Sequence, residues 1–291
     1  MNASQSDWRH RLRGDPAAWL LDYADNPSVY FWFQRDIVGR PEDSPALRAA
    51  RERILYSTPV QQAFAAQDAA GFWESPTSLD LPLYRATLWT LSLLAQLGAP
   101  RTSRRANAAC EFVIQNHLDE NGTFSGLRDD SRTGLLVRTL LYFKHSDPRL
   151  DRAVDRLASS AAAGNLFALW ALIERRDSRY REAAEAGAER LLDRLARGLF
   201  QNWALFPSFD DDDALLALRL LTDIGRAGDA RTAGAMEEIW ARQGEGARWN
   251  LDKGYNGKLV ATCEEAGRPS KWVTLNVLRV IAKGGSEQVT E

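Results

Sequence analysis

The chain has 291 residues, of which 45% are hydrophobic, so it can bury a large core and is not expected to be disordered. Its 37 basic and 39 acidic residues give a formal charge of −2, which argues against a nucleic-acid partner because no overall cationic field exists. Two cysteines and three histidines argue against a disulfide framework and against a structural zinc cluster.

The N-terminal residues 1–15 are polar and are not followed by the apolar stretch of a secretory signal. The longest apolar runs fall below the roughly 20 residues that a membrane-spanning helix needs. We therefore predict a cytoplasmic location without a transmembrane segment, although a peripheral membrane contact stays compatible with the sequence. Residues 16–285 are predicted to form one domain, with residues 286–291 as a C-terminal tail.

Apolar residues recur with a spacing near 3.6 and lie among Ala, Leu, Arg and Glu, which favours an all-α fold. Two helices are predicted before Arg40. In chain order, the remaining predicted helices cover residues 46–56, 59–67, 83–97, 103–117, 133–143, 148–159, 165–175, 178–197, 211–224, 230–243, 257–265 and 270–282. Glycine and proline in the short connections end one helix and admit the next, and no long linker divides the chain.

Three passages share a pattern of an apolar helix end, a glutamine, a short acidic or glycine turn and an aromatic residue. Their glutamine and aromatic positions are Gln67 and Trp73, Gln115 and Phe124, and Gln243 and Trp249. Glycine permits a tight turn, and the aromatic ring buries a large area. The spacing predicts a repeated unit of two helices with these residues at the inter-helix turns.

These passages resemble the glutamine–tryptophan repeats of squalene-hopene cyclases and of the wider superfamily of terpene cyclase and prenyltransferase α/α toroids. The resemblance runs from about Pro59 to Ile281, and the segments 84–89 and 267–275 are similar to further parts of the family pattern. It implies a single α6/α6 toroid, in which a ring of inner helices is surrounded by a ring of outer helices. An open superhelical solenoid is the second choice, because the repeat spacing is uneven.

Four successive aspartates, Asp210–Asp213, enter an apolar helix. Proton-initiated terpene cyclases carry Asp-x-Asp-Asp at a helix start, and Asp210, Asp212 and Asp213 match that pattern. The resemblance makes Asp212 the proton donor, with Asp210 and Asp213 as its orienting neighbours. Crowded carboxylates in a low-dielectric cavity cannot all ionise, so one of them can keep a proton at neutral pH.

A capping role explains the same run, because aspartate is favoured at the N-cap and in the first turn of a helix. A helix N-terminus also lowers the pKa of a carboxyl group, which opposes an acid role unless burial outweighs it. Toroid proteins with an ending similar to residues 269–272 keep mainly the last aspartate. That comparison would make Asp213 a structural or ligand-contacting residue.

Aromatic side chains could line a cavity that protects a carbocation, since each ring face stabilises a cation by about 0.5–2 kcal/mol. The alternative is that these rings fill the core. The candidate substrate-binding residues are Trp89, Tyr84, Trp170, Trp203, Phe206, Phe209 and Trp272. The cyclases place their cavity between two barrels, whereas this chain has the length of one.

Two functions follow as hypotheses. In the first, the protein is a class II-type terpene cyclase-like enzyme that protonates an isoprenoid or another apolar substrate. In the second, the barrel is non-catalytic and binds a lipid, a peptide or a partner protein. No cofactor is predicted: the zinc ligands of protein prenyltransferases are not matched, and magnesium fits only if the acidic run binds a diphosphate.

Overall fold

The computed structural model describes residues 8–284, and its regular structure is almost entirely helical, which confirms the all-α prediction. The only paired strands within these residues are β1 (Trp249–Asn250) and β2 (Pro269–Ser270), which pair antiparallel. The helices are α1 (Ala17–Leu20), α2 (Pro27–Asp36), α3 (Pro45–Ile54), α4 (Thr58–Ala65), α5 (Thr87–Leu97), α6 (Arg104–His117), α7 (Asp130–Tyr142), α8 (Pro148–Ala162), α9 (Leu166–Arg175), α10 (Arg181–Ala196), α11 (Ala214–Ile224), α12 (Ala233–Ala241) and α13 (Lys271–Gly284).

The described chain forms two compact units. Among the described residues, the first unit contains residues 8–50, the segment Ala188–Gly254 and residues 264–284. The second unit contains Arg51–Gly187 and Tyr255–Cys263. None of the described helices combines the length and the apolar character needed to cross a membrane.

In the second unit, three helices are buried around their whole circumference. Every residue of α5 is buried, as are residues 134–142 of α7 and residues 166–172 of α9. Helix α7 packs between α5 and α9, while α4 and α6 cover α5 and α8 covers α7 and α9. Buried helices therefore alternate with amphipathic helices along the chain, as expected for a repeated two-helix unit.

The first unit repeats this arrangement with α13 between α2 and α11. Arg279 of α13 fixes α2 through Asp36, with Nε and Nη2 at 2.7 and 2.5 Å from Oδ2. Burial raises the pKa of Asp36, but the guanidinium groups of Arg279 and Arg35 outweigh it, so the net shift is downward. The pair therefore stays ionised inside the core.

The same turn follows α4 and α12. The indole Nε1 of Trp73 donates to the carbonyl of Ala63, and that of Trp249 donates to the carbonyl of Ile239, both over 2.7 Å and both ten residues back. The backbone N–H of each tryptophan donates to a threonine hydroxyl of a buried helix over 3.0 Å, namely Thr87 of α5 and Thr274 of α13. Each tryptophan thus ties an amphipathic helix to a buried helix.

A third copy of this turn follows α6 with Phe124 in the tryptophan position. The N–H of Asp119 donates to the carbonyl of Thr123, as Asp68 does to Phe72 and Gly244 does to Arg248 in the other copies. In this register Leu118 takes the place of the glutamine. Gln115, which the sequence pattern assigned to the turn, instead lies exposed in the last turn of α6.

One predicted helix and one predicted helix boundary are wrong. The helix predicted over residues 257–265 is a loop, closed by two hydrogen bonds between the Asn256 side chain and the backbone of Cys263. Helix α5 begins at Thr87 rather than at residue 83, because Tyr84 has a φ of 67°, which is incompatible with a right-handed helix. Local backbone geometry overrides the apolar spacing in both places.

Replacing Gln67 with alanine is expected to lower the free energy of unfolding by about 1–2 kcal/mol. Its amide donates to the carbonyls of Gly71 and Arg105 over 2.9 Å and accepts from the Arg105 guanidinium. Gln115→Ala is the matched control and should change stability by less than about 0.5 kcal/mol, as exposed positions usually do. Urea denaturation of both variants measures this, and equal losses would contradict the assigned register.

Candidate functional site

The run Asp210–Asp213 ends a loop in the first unit and starts α11. The Asp213 carboxylate is buried and caps the helix, because Oδ1 accepts from the N–H groups of Leu215 and Leu216 over 3.0 and 3.2 Å. The backbone of Asn202 brackets the run by donating to the carbonyl of Asp212 and accepting from the N–H of Ala214. Asp213 therefore has the geometry of a helix N-cap residue.

The other three aspartates lie closer to the surface. Asp212 forms an ion pair with Arg194 over 2.9 Å and accepts from the N–H of Gln201. Asp210 accepts from the side chain of Asn202 and lies 3.5 Å from Lys253 Nζ, while Asp211 is exposed. A cation thus compensates Asp212, the residue predicted to donate a proton.

Burial raises the pKa of Asp213 to about 7, against the opposing effects of the two backbone hydrogen bonds and of Arg219. Removal from water destabilises the ionised carboxylate more than capping stabilises it. Asp213 is therefore a carboxyl group that can hold a proton near neutral pH. It is a candidate for a role that needs a protonated acid, whereas the Asp212 carboxylate is paired with Arg194.

Only some of the predicted aromatic residues of the first unit lie in contact with one another. Phe206 and Trp272 stack in parallel with their ring centroids 4.0 Å apart, and both are buried. Phe209 is also buried, and half-buried Trp203 lies 5.3 Å below the Arg242 guanidinium. The stacked pair links the loop before α11 to the start of α13.

The second unit holds the remaining predicted residues in two places. Tyr84 contacts Trp89 and Tyr255, with ring centroids 5.3 and 4.8 Å apart. Trp170 of α9 lies 4.3 Å from the buried Arg138 guanidinium, which also faces Glu174 over 3.4 Å. Trp170 therefore contributes to a charged packing contact between α7 and α9.

One buried carboxylate was missed by sequence reasoning. Asp80 is 1% exposed, and its Oδ2 lies 2.7 Å from Arg128 and 2.8 Å from Arg132. The backbone carbonyl of Asp80 accepts a hydrogen bond from the Trp89 indole over 2.9 Å. The two arginines that hold Asp80 therefore also help to position Trp89. A lone aspartate in the sequence Ser78–Leu81 gives no signal that would distinguish it from a loop residue.

The inner surfaces of the second unit's buried helices are closed to water, since α5 has no residue more than 8% exposed. A wide, solvent-filled cavity along this helix would leave one of its faces accessible. The predicted aromatic residues Trp89 and Trp170 are 3% and 6% exposed and pack as core. In this unit, aromatic surface is accessible at Tyr56, which is 79% exposed, and at the half-buried Tyr84 in the loop before α5.

Within residues 8–284, no three side chains of His, Cys, Asp or Glu converge in a geometry that could hold a metal ion. In the acidic run, Asp213 is engaged by the α11 backbone, and Asp212 and Asp210 face cations. The arrangement can cap a helix and hold a proton at Asp213.

Comparison with protein-family models, curated proteins and solved structures finds no match to this chain.

Asp213→Asn is expected to become more stable relative to the natural chain as the pH rises. The folded-state pKa of about 7 lies above the usual aspartate pKa of 3.8, so the contribution of Asp213 is fully present below pH 4 and is lost as the pH rises to about 7. Asparagine also caps helices but does not ionise. Urea denaturation between pH 4 and 8 should show a relative gain of about 1–4 kcal/mol.

The control for this experiment is Asp211→Asn, which removes an exposed carboxylate from the same run. Its stability relative to the natural chain should change little over the same pH range. If the stability difference between Asp213→Asn and the natural chain does not change with pH, the buried carboxyl group does not bind its proton more tightly in the folded chain.

Proposed function

We propose that this chain is a binding protein for an apolar small molecule and that the loop before α5 contacts the ligand. The observation that carries the proposal is the exposure of Leu81 and Leu83, at 44% and 41%. Among the described residues, five large hydrophobic side chains are this exposed, and two of them lie in this one tripeptide. Clustered exposed apolar side chains are typical of a surface that meets an apolar partner.

The structure around Tyr84 supports this proposal. Its φ of 67° lies in the left-handed region, which a bulky side chain adopts at a cost of about 1–3 kcal/mol. Ring contacts with the buried Trp89 and Tyr255 hold Tyr84 against the core of the second unit. With Tyr84 anchored inward, the loop keeps Leu81 and Leu83 directed outward instead of collapsing onto the core.

Contact at the loop also agrees with the packing of the buried helices. Because α5 is closed on every side, a ligand of isoprenoid size has no accessible wall along it. The loop offers apolar area that an alkyl or isoprenoid chain would remove from water, at about 25 cal/mol per Å².

The double substitution Leu81→Ser/Leu83→Ser should weaken the binding of farnesol or geranylgeraniol by about tenfold or more, because the apolar contact is lost. Intrinsic fluorescence, to which Trp89 beside Tyr84 contributes, provides the titration signal. Leu199→Ser is the matched control, since Leu199 is 54% exposed but lies in the first unit. The absence of saturable binding, or an equal loss in the control, would refute the proposal.

Asp213 favours a second candidate function, the proton-initiated cyclisation of an isoprenoid. A buried carboxyl group that is still protonated near pH 7 is one requirement of that chemistry, and Asp213 fulfils it. The stacked rings of Phe206 and Trp272 support this candidate as faces that could stabilise a cation. Asp213 replaces Asp212 as the proposed acid, because Arg194 compensates the Asp212 carboxylate.

Incubation with squalene and with geranylgeranyl diphosphate tests this candidate through product analysis. If Asp213 is the acid, Asp213→Asn should abolish cyclic product, because an amide cannot supply the proton. Asp212→Asn should retain activity, and circular dichroism should show that both variants are folded. Lack of product from the natural chain, or product from Asp213→Asn, would reject the cyclase proposal.

We also propose the toroid fold. The largely buried helices of both units, their alternation with amphipathic helices and three copies of one turn support a single α6/α6 ring. An experimental structure with an open superhelical arrangement would contradict it. A cytoplasmic location, peripheral membrane contact and a partner protein stay predictions from the sequence.

A further inference from the structure

Two copies of the aromatic turn each receive an arginine side chain from the next amphipathic helix. In the turn after α4, the Arg105 guanidinium carbon lies 5.2 Å from the Phe64 ring centroid, and the guanidinium donates to the Gln67 side chain. In the turn after α6, Arg149 Nη1 donates to the carbonyl of Leu118 over 2.8 Å. The two arginines belong to α6 and α8, so a following helix docks on each of these turns.

The N-terminal segment, residues 8–14, takes the corresponding place at the turn after α12. The guanidinium carbon of Arg11 lies 4.4 Å from the ring centroid of Trp240. This ring belongs to the residue three positions before the turn glutamine, as it does in the turn after α4. A short peptide segment therefore replaces the helix that docks on the other turns.

The turn glutamine, Gln243, holds the backbone of this segment. Its Oε1 accepts from the N–H of Arg13 over 2.5 Å, and its carbonyl accepts from Arg13 Nη1 over 2.9 Å. Gln243 is only 3% exposed, and a buried amide needs such partners. Arg11 adds an ion pair with Glu237 over 3.2 Å.

Gly14 lets the segment approach the turn closely. A Cβ added to Gly14 would lie 2.9 Å from the Cα of Gly246, so the backbone would have to move. The turn glycines Gly71 and Gly122 approach the backbones of α6 and α8 in the same way. The segment therefore fits the turn through its sequence, Arg-x-Arg-Gly at positions 11–14.

The segment is held less firmly than the helices on the other two turns. None of residues 8–14 is buried, and their regular structure is a four-residue 3₁₀ helix, Trp8–Arg11. The side chains of Arg11 and Glu237 are 43% and 70% exposed, and such exposed ion pairs contribute little to stability. By contrast, α6 and α8 each bury an apolar face. A segment with so little buried surface can open locally while the rest of the chain stays folded.

We propose that the turn after α12 is a docking surface for an arginine-bearing peptide of the form Arg-x-Arg-Gly, and that residues 8–14 occupy it as a releasable strap. The surface offers the Trp240 ring and the Glu237 carboxylate to one guanidinium, and the Gln243 amide to the peptide backbone. A partner segment of this sequence competes with the strap for the same groups. The proposal is independent of the apolar contact in the loop before α5.

Gly14→Ala in the full chain tests the strap, because it blocks the close approach and leaves the docking surface unchanged. Trypsin should then cleave after Arg11 and Arg13 at least about fivefold faster than in the natural chain, as measured by mass spectrometry. Gly39→Ala is the matched control, because Gly39 also has a positive φ but a Cβ there meets nothing within 4 Å. It should leave the cleavage rate unchanged. Equal cleavage of Gly14→Ala and the natural chain would overturn the strap.

A fluorescein-labelled peptide of residues 8–15 tests the docking surface by fluorescence anisotropy. It should bind Gly14→Ala at least about tenfold more tightly than the natural chain, whose own strap competes at high effective concentration. Adding Gln243→Ala to Gly14→Ala should weaken binding by about tenfold, with circular dichroism to show that the double variant is folded.

A second peptide, with alanine in place of its glycine, gives a comparison that does not depend on the folding of a chain variant. It should bind Gly14→Ala about tenfold more weakly than the natural peptide, because its Cβ meets the backbone of the turn. If the released chain binds neither peptide, or binds both equally well, the turn after α12 is not a docking surface for this sequence.

Discussion

The burial of complete helices is the constraint from which the other features follow. A helix surrounded by protein cannot use water to satisfy the first N–H groups of its backbone, so side chains or other backbone carbonyls must do so. Asn26 caps α2, Asn165 caps α9 and Asp213 caps α11 in this way. The acidic run is thus placed by the need to start a buried helix.

Asparagine at two of these caps shows that an amide oxygen is sufficient for the task. An aspartate is less favourable than an asparagine at position 213, because burial raises the pKa of Asp213 and disfavours its ionised form. Asp210, Asp211 and Asp212 lie outside the helix and are half-buried or exposed. A capping role explains why a polar residue stands at position 213, but it does not explain why that residue is acidic.

The sequence predicted the repeated helices well where apolar spacing and burial agree. It placed Trp73 and Trp249 at equivalent turns, and their hydrogen bonds are equivalent. The sequence pattern assigned the wrong residue at Gln115. It matched residue types and chose this glutamine, whereas the structural equivalent of Gln67 and Gln243 is Leu118, three positions later. Turn geometry, rather than residue identity, defines the repeat.

The residue contacts of the candidate sites depend on long-range packing that periodicity cannot provide. Lys271 and Asp25 are far apart in the chain, as are Tyr84 and Tyr255, yet each pair is in contact. The sequence identified Asp213 as a notable residue from its neighbours. It could not show that Arg194 compensates Asp212 or that Asp80 is buried between two arginines.

Asp213 and Lys271 are opposite solutions to the same electrostatic environment. Both are buried at the start of a buried helix in the first unit, where the helix end is positive. A carboxylate gains from that field and is opposed by desolvation, whereas an ammonium is opposed by both. Lys271 therefore depends on negative charge nearby, and two carboxylates supply it: Asp25 lies 2.6 Å from its ammonium, and Glu264 accepts a hydrogen bond from its backbone N–H. Together they offset a charge that both desolvation and the helix end oppose.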